Sequence, residues 1–146
     1  VKSNEKKEIF QNAKIILNIV NGKINLDNTT FVNDKIGLLE INNSNLFVEN
    51  NNLILNTDIL FKVKNSDNLF SFLNTNKKSR KEIKNILINF SYDFLRNEIK
   101  FNNVKINNKV VSDQFLNIID GFNDNNSNNM VNTKRLINKL LGIYEG

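Results

Sequence analysis

The chain has 146 residues and a formal net charge of +5, the size of one domain with room for a real core. It has no Cys, His, Trp or Pro, which excludes disulfides, thiolate chemistry, imidazole metal sites and His-based acid–base work from the segment. About a fifth of its positions are Asn, with Ile and Lys also abundant; all three have A/T-rich codons, so the excess of Lys is discounted as evidence for an anionic partner.

The chain opens on Val1 and the polar stretch VKSNEKKE, and no run approaches the roughly 18 apolar residues of a membrane span. It reads as a mature or excised piece whose signal or anchor, if any, lies upstream. Residues 1–12 are expected to be a polar lead-in or linker, and 13–146 one β-rich domain with terminal helices. Asn-rich tracts are also found in disordered, aggregation-prone segments, but here Asn is interleaved with regularly spaced Ile, Leu and Phe, as in ordered strands.

From Ala13 the pattern alternates, with Ile15, Leu17 and Ile19 on one side. Asn21-Gly22 follows, a hairpin signal because both residues tolerate the positive φ of a type I′ turn. Ile24 and Leu26 begin the return strand, and further short strands are expected at 36–41 and 46–48. The strongest strand signal spans 53–63, with Leu53, Leu55, Thr57, Ile59, Phe61 and Val63 on one face and a mixed face opposite. The phase then breaks. Ser66 or Asp67 would cap a short helix over 67–74 that turns Leu69, Phe70, Phe72 and Leu73 onto the sheet.

After the charged connector NTNKKSRKEIK, alternation resumes through Ile86, Ile88, Phe90, Tyr92 and Phe94. LRNE reverses the chain into Ile99 and Phe101, and a phase shift before Val104 places a β-bulge near Asn102-Asn103. Two amphipathic helices are expected at 112–122, capped by Ser112, and at 133–144, capped by Thr133. Between them NDNNSNNMVN, residues 123–132, reads as a mobile loop. The expected fold is mainly β (α+β): an antiparallel, curved meandering sheet with a short helix after the long strand and two C-terminal helices.

Little catalytic chemistry is available. Asp93 and Glu98 flank the predicted hairpin turn and could approach each other, but solvated turn charges look the same and no activating His exists. Asp27, Asp34, Asp58 and Asp67 follow no calcium-loop spacing, and the five glycines form no phosphate loop. Neither catalysis, a metal nor a cofactor is expected. The basic cluster Lys77, Lys78, Arg80, Lys81 and Lys84 is dense enough to contact phosphates; a solvated loop is the plainer reading. It lacks the interleaved aromatics of a nucleic-acid site, so nucleic acid is not an expected partner.

As a set, KIILNIVNGKINLDNTTFVNDKIGLLE, LILNTDILFKVKNSDNLFSFLN, KKSRKEIKNILINFSYDFLRNEIKFNNVKINNK and the final LINKLLGIYEG resemble the C-terminal region of AsmA-like proteins of A/T-rich marine alphaproteobacteria. The resemblance implies a periplasmic segment, held at the inner membrane by an anchor outside this sequence. It also implies an architecture similar to TamB and the bridge-like lipid-transfer proteins, with phospholipid as partner. The implied role is non-enzymatic, in phospholipid transport between membranes or outer-membrane assembly and homeostasis. The alternative is a β-rich structural or adhesive module with no lipid role. On the lipid reading, the apolar face carries Leu53, Leu55, Ile59, Phe61, Val63, Ile86, Ile88 and Phe90, with Lys77, Lys78, Arg80, Lys81 and Lys84 contacting headgroups. The same apolar rows would serve equally as a core under helices.

Overall fold

Asparagine takes the role that glycine has in most β-proteins. In the computed structural model, which describes residues 9–109, 112–124 and 130–146, every non-glycine residue with positive φ is Asn. A short side-chain amide can bond locally, so Asn enters the left-handed region at less cost than other residues. Three pairs in succession, Asn21-Gly22, Asn50-Asn51 and Asn107-Asn108, have positive φ at both positions, the requirement of a type I′ turn.

These turns fold a long meander. Its strands are β1 (Asn12–Lys14), β2 (Asn18–Val20), β3 (Lys23–Asn25), β4 (Thr30–Asn33), β5 (Gly37–Glu49), β6 (Asn52–Val63), β7 (Asn85–Asp93) and β8 (Glu98–Ile106). All ladders are antiparallel, in the order β1-β4-β5-β6-β7-β8, with β2 on β3 and β3 on β5. The sheet is open, and mainly β architecture with covering helices is what the period-two pattern predicts. Pairing begins earlier than Ala13: the Gln11 N–H donates to the Val32 carbonyl, and Asn12 stands opposite Val32.

The segments 36–41 and 46–48 do not form two strands. They are parts of one strand, β5, interrupted by a bulge between Asn42 and Asn45. The Asn-rich stretch that looks like a chain break is absorbed because Asn43 adopts φ 48° and Asp27 reaches across. Its Oδ1 accepts from both the Ser44 N–H, at 2.7 Å, and the Ser44 hydroxyl, at 2.6 Å, and Ser44 Oγ accepts from the Leu26 N–H. Nearby, the buried Thr29 hydroxyl donates to the Ile16 carbonyl and accepts from its N–H, bridging the gap between β1 and β2. The second bulge lies in β8, where Asn89 pairs Asn103 and Phe90 pairs Phe101; Asn102 is the extra residue, as the phase shift predicts.

Three α-helices follow from the 3.6-residue patterns: α1 (Ser66–Leu73), α2 (Asp113–Asn123) and α3 (Met130–Ile143). Their ends depart from expectation in three places. Asn65, not Ser66 or Asp67, caps α1 by accepting from the Asn68 N–H, since the Ser66 hydroxyl is taken by the Ile83 backbone. Ser112 stands at the N-cap of α2 but its side chain makes no capping bond. Thr133 lies inside α3, which starts at Met130.

The segment 123–132 is thus largely not a loop where it is described: Asn123 closes α2 and Met130 to Asn132 open α3, while residues 125–129 lie outside the described residues. Asn123 also protects an edge. Its side chain accepts from the Phe101 N–H at 2.9 Å and donates to the Phe101 carbonyl at 2.7 Å, pairing the outermost strand as another strand would. The core is the layer between β7, β8 and the helices, with Phe70, Ile83, Ile86, Val104, Ile106, Ile119, Leu140 and Leu141 all buried.

Two substitutions test this frame. A Cβ on Gly37 would lie 2.1 Å from the Lys62 carbonyl oxygen, and φ there is +154°. Gly37→Ala should therefore cost about 3 kcal/mol, the upper part of the range for backbone misfit, read by urea unfolding. Asn123→Ala leaves the Phe101 N–H and carbonyl without their partner. It should lower stability by about 1–2 kcal/mol, and hydrogen exchange should show reduced protection at the Phe101 amide more than at Ile88.

Candidate functional site

Register places the predicted apolar residues on one face. Phe61 pairs Ile86, Ile59 pairs Ile88, Thr57 pairs Phe90 and Leu55 pairs Tyr92; Leu39 stands opposite Phe61 and Leu46 opposite Leu55. On β8, Ile106, Val104, Phe101 and Ile99 continue these rows. The other face is mixed, with Phe47, Ile54, Leu60 and Leu87 among polar groups, and amides cross it. Asp58 accepts from Asn43 and Asn89, and Asn89 in turn accepts from Asn102, while Lys62 pairs Glu40 at 3.1 Å.

Helices cover only part of the apolar face. Phe115, Ile119, Leu136 and Leu140 are buried in one cluster with Ile86, Phe101, Val104 and Ile106, and Phe122 packs edge-on against Phe101. Toward β4 and β5 the cover lifts, leaving a cavity of about 320 Å³ between the sheet and α1 and α3. Its sheet wall carries Leu39, Ile59, Phe61, Ile86, Ile88, Phe90, Ile99 and Phe101, and its roof Leu69, Phe72, Leu73, Thr133 and Ile137. Such a volume is at the lower end of the roughly 300–1,000 Å³ of small-molecule sites.

Of the eight candidate lipid-facing residues, the cavity brings together Ile59, Phe61, Ile86, Ile88 and Phe90. Val63 packs on the core cluster instead. Leu55 is buried outside that cluster, and Leu53 is exposed. Around Leu53 the face runs out past the helices, with Ile19, Val48 and Phe94 at 68%, 69% and 49% exposure, so apolar surface continues uncovered toward that end.

None of the candidate headgroup residues lines the cavity. Lys77 and Lys78 are exposed on a 3-10 turn (Lys77–Ser79). Arg80 is half-buried, donating to the Thr75 carbonyl and lying over the Phe70 ring. Lys81 donates to the Glu145 carbonyl, and the Lys84 side chain is exposed. The cations at the cavity mouth are two that periodicity does not single out, Lys35 and Lys134. They line a more polar recess of about 720 Å³ whose wall shares Ile9, Asn33, Ile36 and Phe72 with the cavity.

Asp93 and Glu98 do stand opposite each other. The Asp93 carboxylate is occupied, accepting from the Leu95 and Arg96 N–H groups and from the Asn52 amide, the pattern of a turn cap. Among the described residues no group of three or more His, Cys, Asp and Glu could hold a metal ion, and no helix is long and apolar enough to cross a membrane.

No protein-family model, no curated protein and no solved structure matches the chain.

Proposed function

We propose that this chain is a non-enzymatic segment of an AsmA-like protein of the bacterial envelope, and that its half-covered sheet face receives an acyl chain of a phospholipid in transit. The observation that carries the reading is the cavity between the sheet and α1 and α3, walled by aliphatic and aromatic side chains and continuous in register with uncovered apolar surface. On this reading the segment works in the periplasm, attached to the inner membrane by a part of the protein outside this sequence, and supports lipid transport or outer-membrane homeostasis.

Magnitudes favour reversible occupancy. Taking roughly 30 Å³ per methylene-sized group, as for a water in the liquid, the 320 Å³ cavity accepts roughly ten. At about 0.8 kcal/mol each, the gross transfer free energy is roughly 8 kcal/mol. Lost translational and rotational freedom takes a large share of that. A carrier surface needs such a balance, since a chain held too tightly would not move on.

The burial of Phe115, Ile119, Leu136 and Leu140 supports a second reading, a structural or adhesive β-module whose helices complete its core. One experiment separates the two. The chain purified from cells and sprayed under native conditions should carry a lipid adduct. Ile59→Trp, which fills the cavity from the sheet side, should lose that adduct while its melting temperature stays within a few degrees. An adduct-free wild type, or an adduct undiminished in a folded Ile59→Trp protein, would overturn the lipid reading.

A further inference from the structure

Resting on the acyl-chain reading above, we propose that the cavity takes one chain of an amphiphile with an anionic oxygen head, and that Lys134, assisted by Lys35, holds that head at the mouth. The recess that holds the two lysines and the apolar cavity share Phe72 and Ile36 as a common wall. A molecule with its chain against the sheet would therefore place its other end in the recess. Among the described residues, two lysines line that recess and no carboxylate does, so a negative head is the complement.

Lys134 is placed for the task. On α3, Thr133 and Ile137 line the apolar cavity while Lys134, between them in sequence, lines the recess. Its ammonium lies 4.0 Å from the centre of the Phe72 ring and donates to the Phe72 carbonyl at 3.2 Å. An ammonium has three donors, and those contacts tether it at the boundary between recess and cavity. No acidic side chain lies within ion-pair distance of it among the described residues, so a carboxylate or phosphate head would meet a cation that is not already neutralised.

Size argues for one chain. Room for roughly ten methylene-sized groups fits a single medium-length chain inside the cavity. Twelve-carbon probes that differ only in the head isolate the proposal: laurate, dodecyl phosphate and neutral monolaurin, with inorganic phosphate as the chain-free control, each titrated calorimetrically into the full chain.

Laurate and dodecyl phosphate should bind at least about tenfold tighter than monolaurin, the effect of one charge-assisted hydrogen bond. Inorganic phosphate should not bind measurably. Lys134→Met should remove most of the laurate advantage and leave monolaurin unchanged, and Lys35→Met, at an exposed position, should remove a smaller part. Equal affinity of laurate and monolaurin for the wild type overturns the head proposal while leaving the chain reading intact. So does a laurate advantage that persists in both variants. Failure of all three amphiphiles to bind overturns both. Tight binding of inorganic phosphate alone would make the recess an anion site independent of lipid and would also overturn it. Because the wild-type comparison of heads stands without any variant, the test survives a Lys134→Met protein that does not fold.

Discussion

Slipping β6 by one residue against its neighbours would turn Leu55, Ile59 and Phe61 toward water and set Asn56, Asp58 and Lys62 beneath the helices. Two features on opposite faces guard against this. On the apolar side, Ile86 and Phe61 meet a layer of helix side chains buried as deeply as Ile119 and Leu140, both 1% exposed. On the polar side, Asp58 is bonded by an amide from each neighbouring strand, Asn43 at 2.8 Å and Asn89 at 2.6 Å. A carboxylate gripped from both sides specifies register as firmly as burial does, because a one-residue shift would break both bonds and leave an unpaired charge facing the core.

Asparagine connects composition to structure. A chain with five glycines and no proline has few of the usual turn formers, and Asn supplies what is missing through its backbone at positive φ and through its side chain. Asn107 bonds the Lys84 N–H, the Glu82 carbonyl and the Tyr144 hydroxyl at once. Asn138 accepts from Thr75 and donates to the Leu73 carbonyl, fixing α3 to the end of α1. A primary amide offers donor and acceptor in one planar group, the same pair that a peptide presents, so it can stand in for backbone wherever a strand or helix ends. The Asn-rich composition is thereby put to structural use.

That substitution also explains which features are legible in sequence. The rows on β6 and β7 are visible because period-two alternation survives any choice of polar residue, and the β8 bulge is visible because it shifts that phase. Turn chemistry carried by Asn is ambiguous by comparison. Asn42-Asn43 resembles a chain break, yet β5 runs through it because Asp27, seventeen positions before Ser44, accepts from the bulged Ser44 N–H. No local window contains that partner. The cavity is partly legible in the same way: its floor follows from strand alternation, while its mouth depends on where α3 lands. Lys35 and Lys134 are distant in sequence and belong to no cluster, whereas the basic run at 77–84 stands out in sequence but is directed elsewhere by the contacts of Arg80 and Lys81.

Element lengths account for the partial cover. Twelve residues of β6 extend roughly 40 Å at about 3.3 Å per residue, whereas the fourteen residues of α3 reach only about 21 Å at 1.5 Å each. Even laid along the strand, the longest helix shields about half of it. One end of β6, at Phe61 and Val63, packs against the core cluster, and the other end carries the exposed Leu53, with Val48 and Phe94 beside it. The cavity borders that cluster: Leu69 and Leu73 of its roof and Ile86 and Phe101 of its sheet wall are themselves core residues. An apolar surface of this kind is costly in water unless something else lies on it. On the proposed lipid reading, an acyl chain is what lies there, since a flexible hydrocarbon can conform to apolar surface that no helix covers.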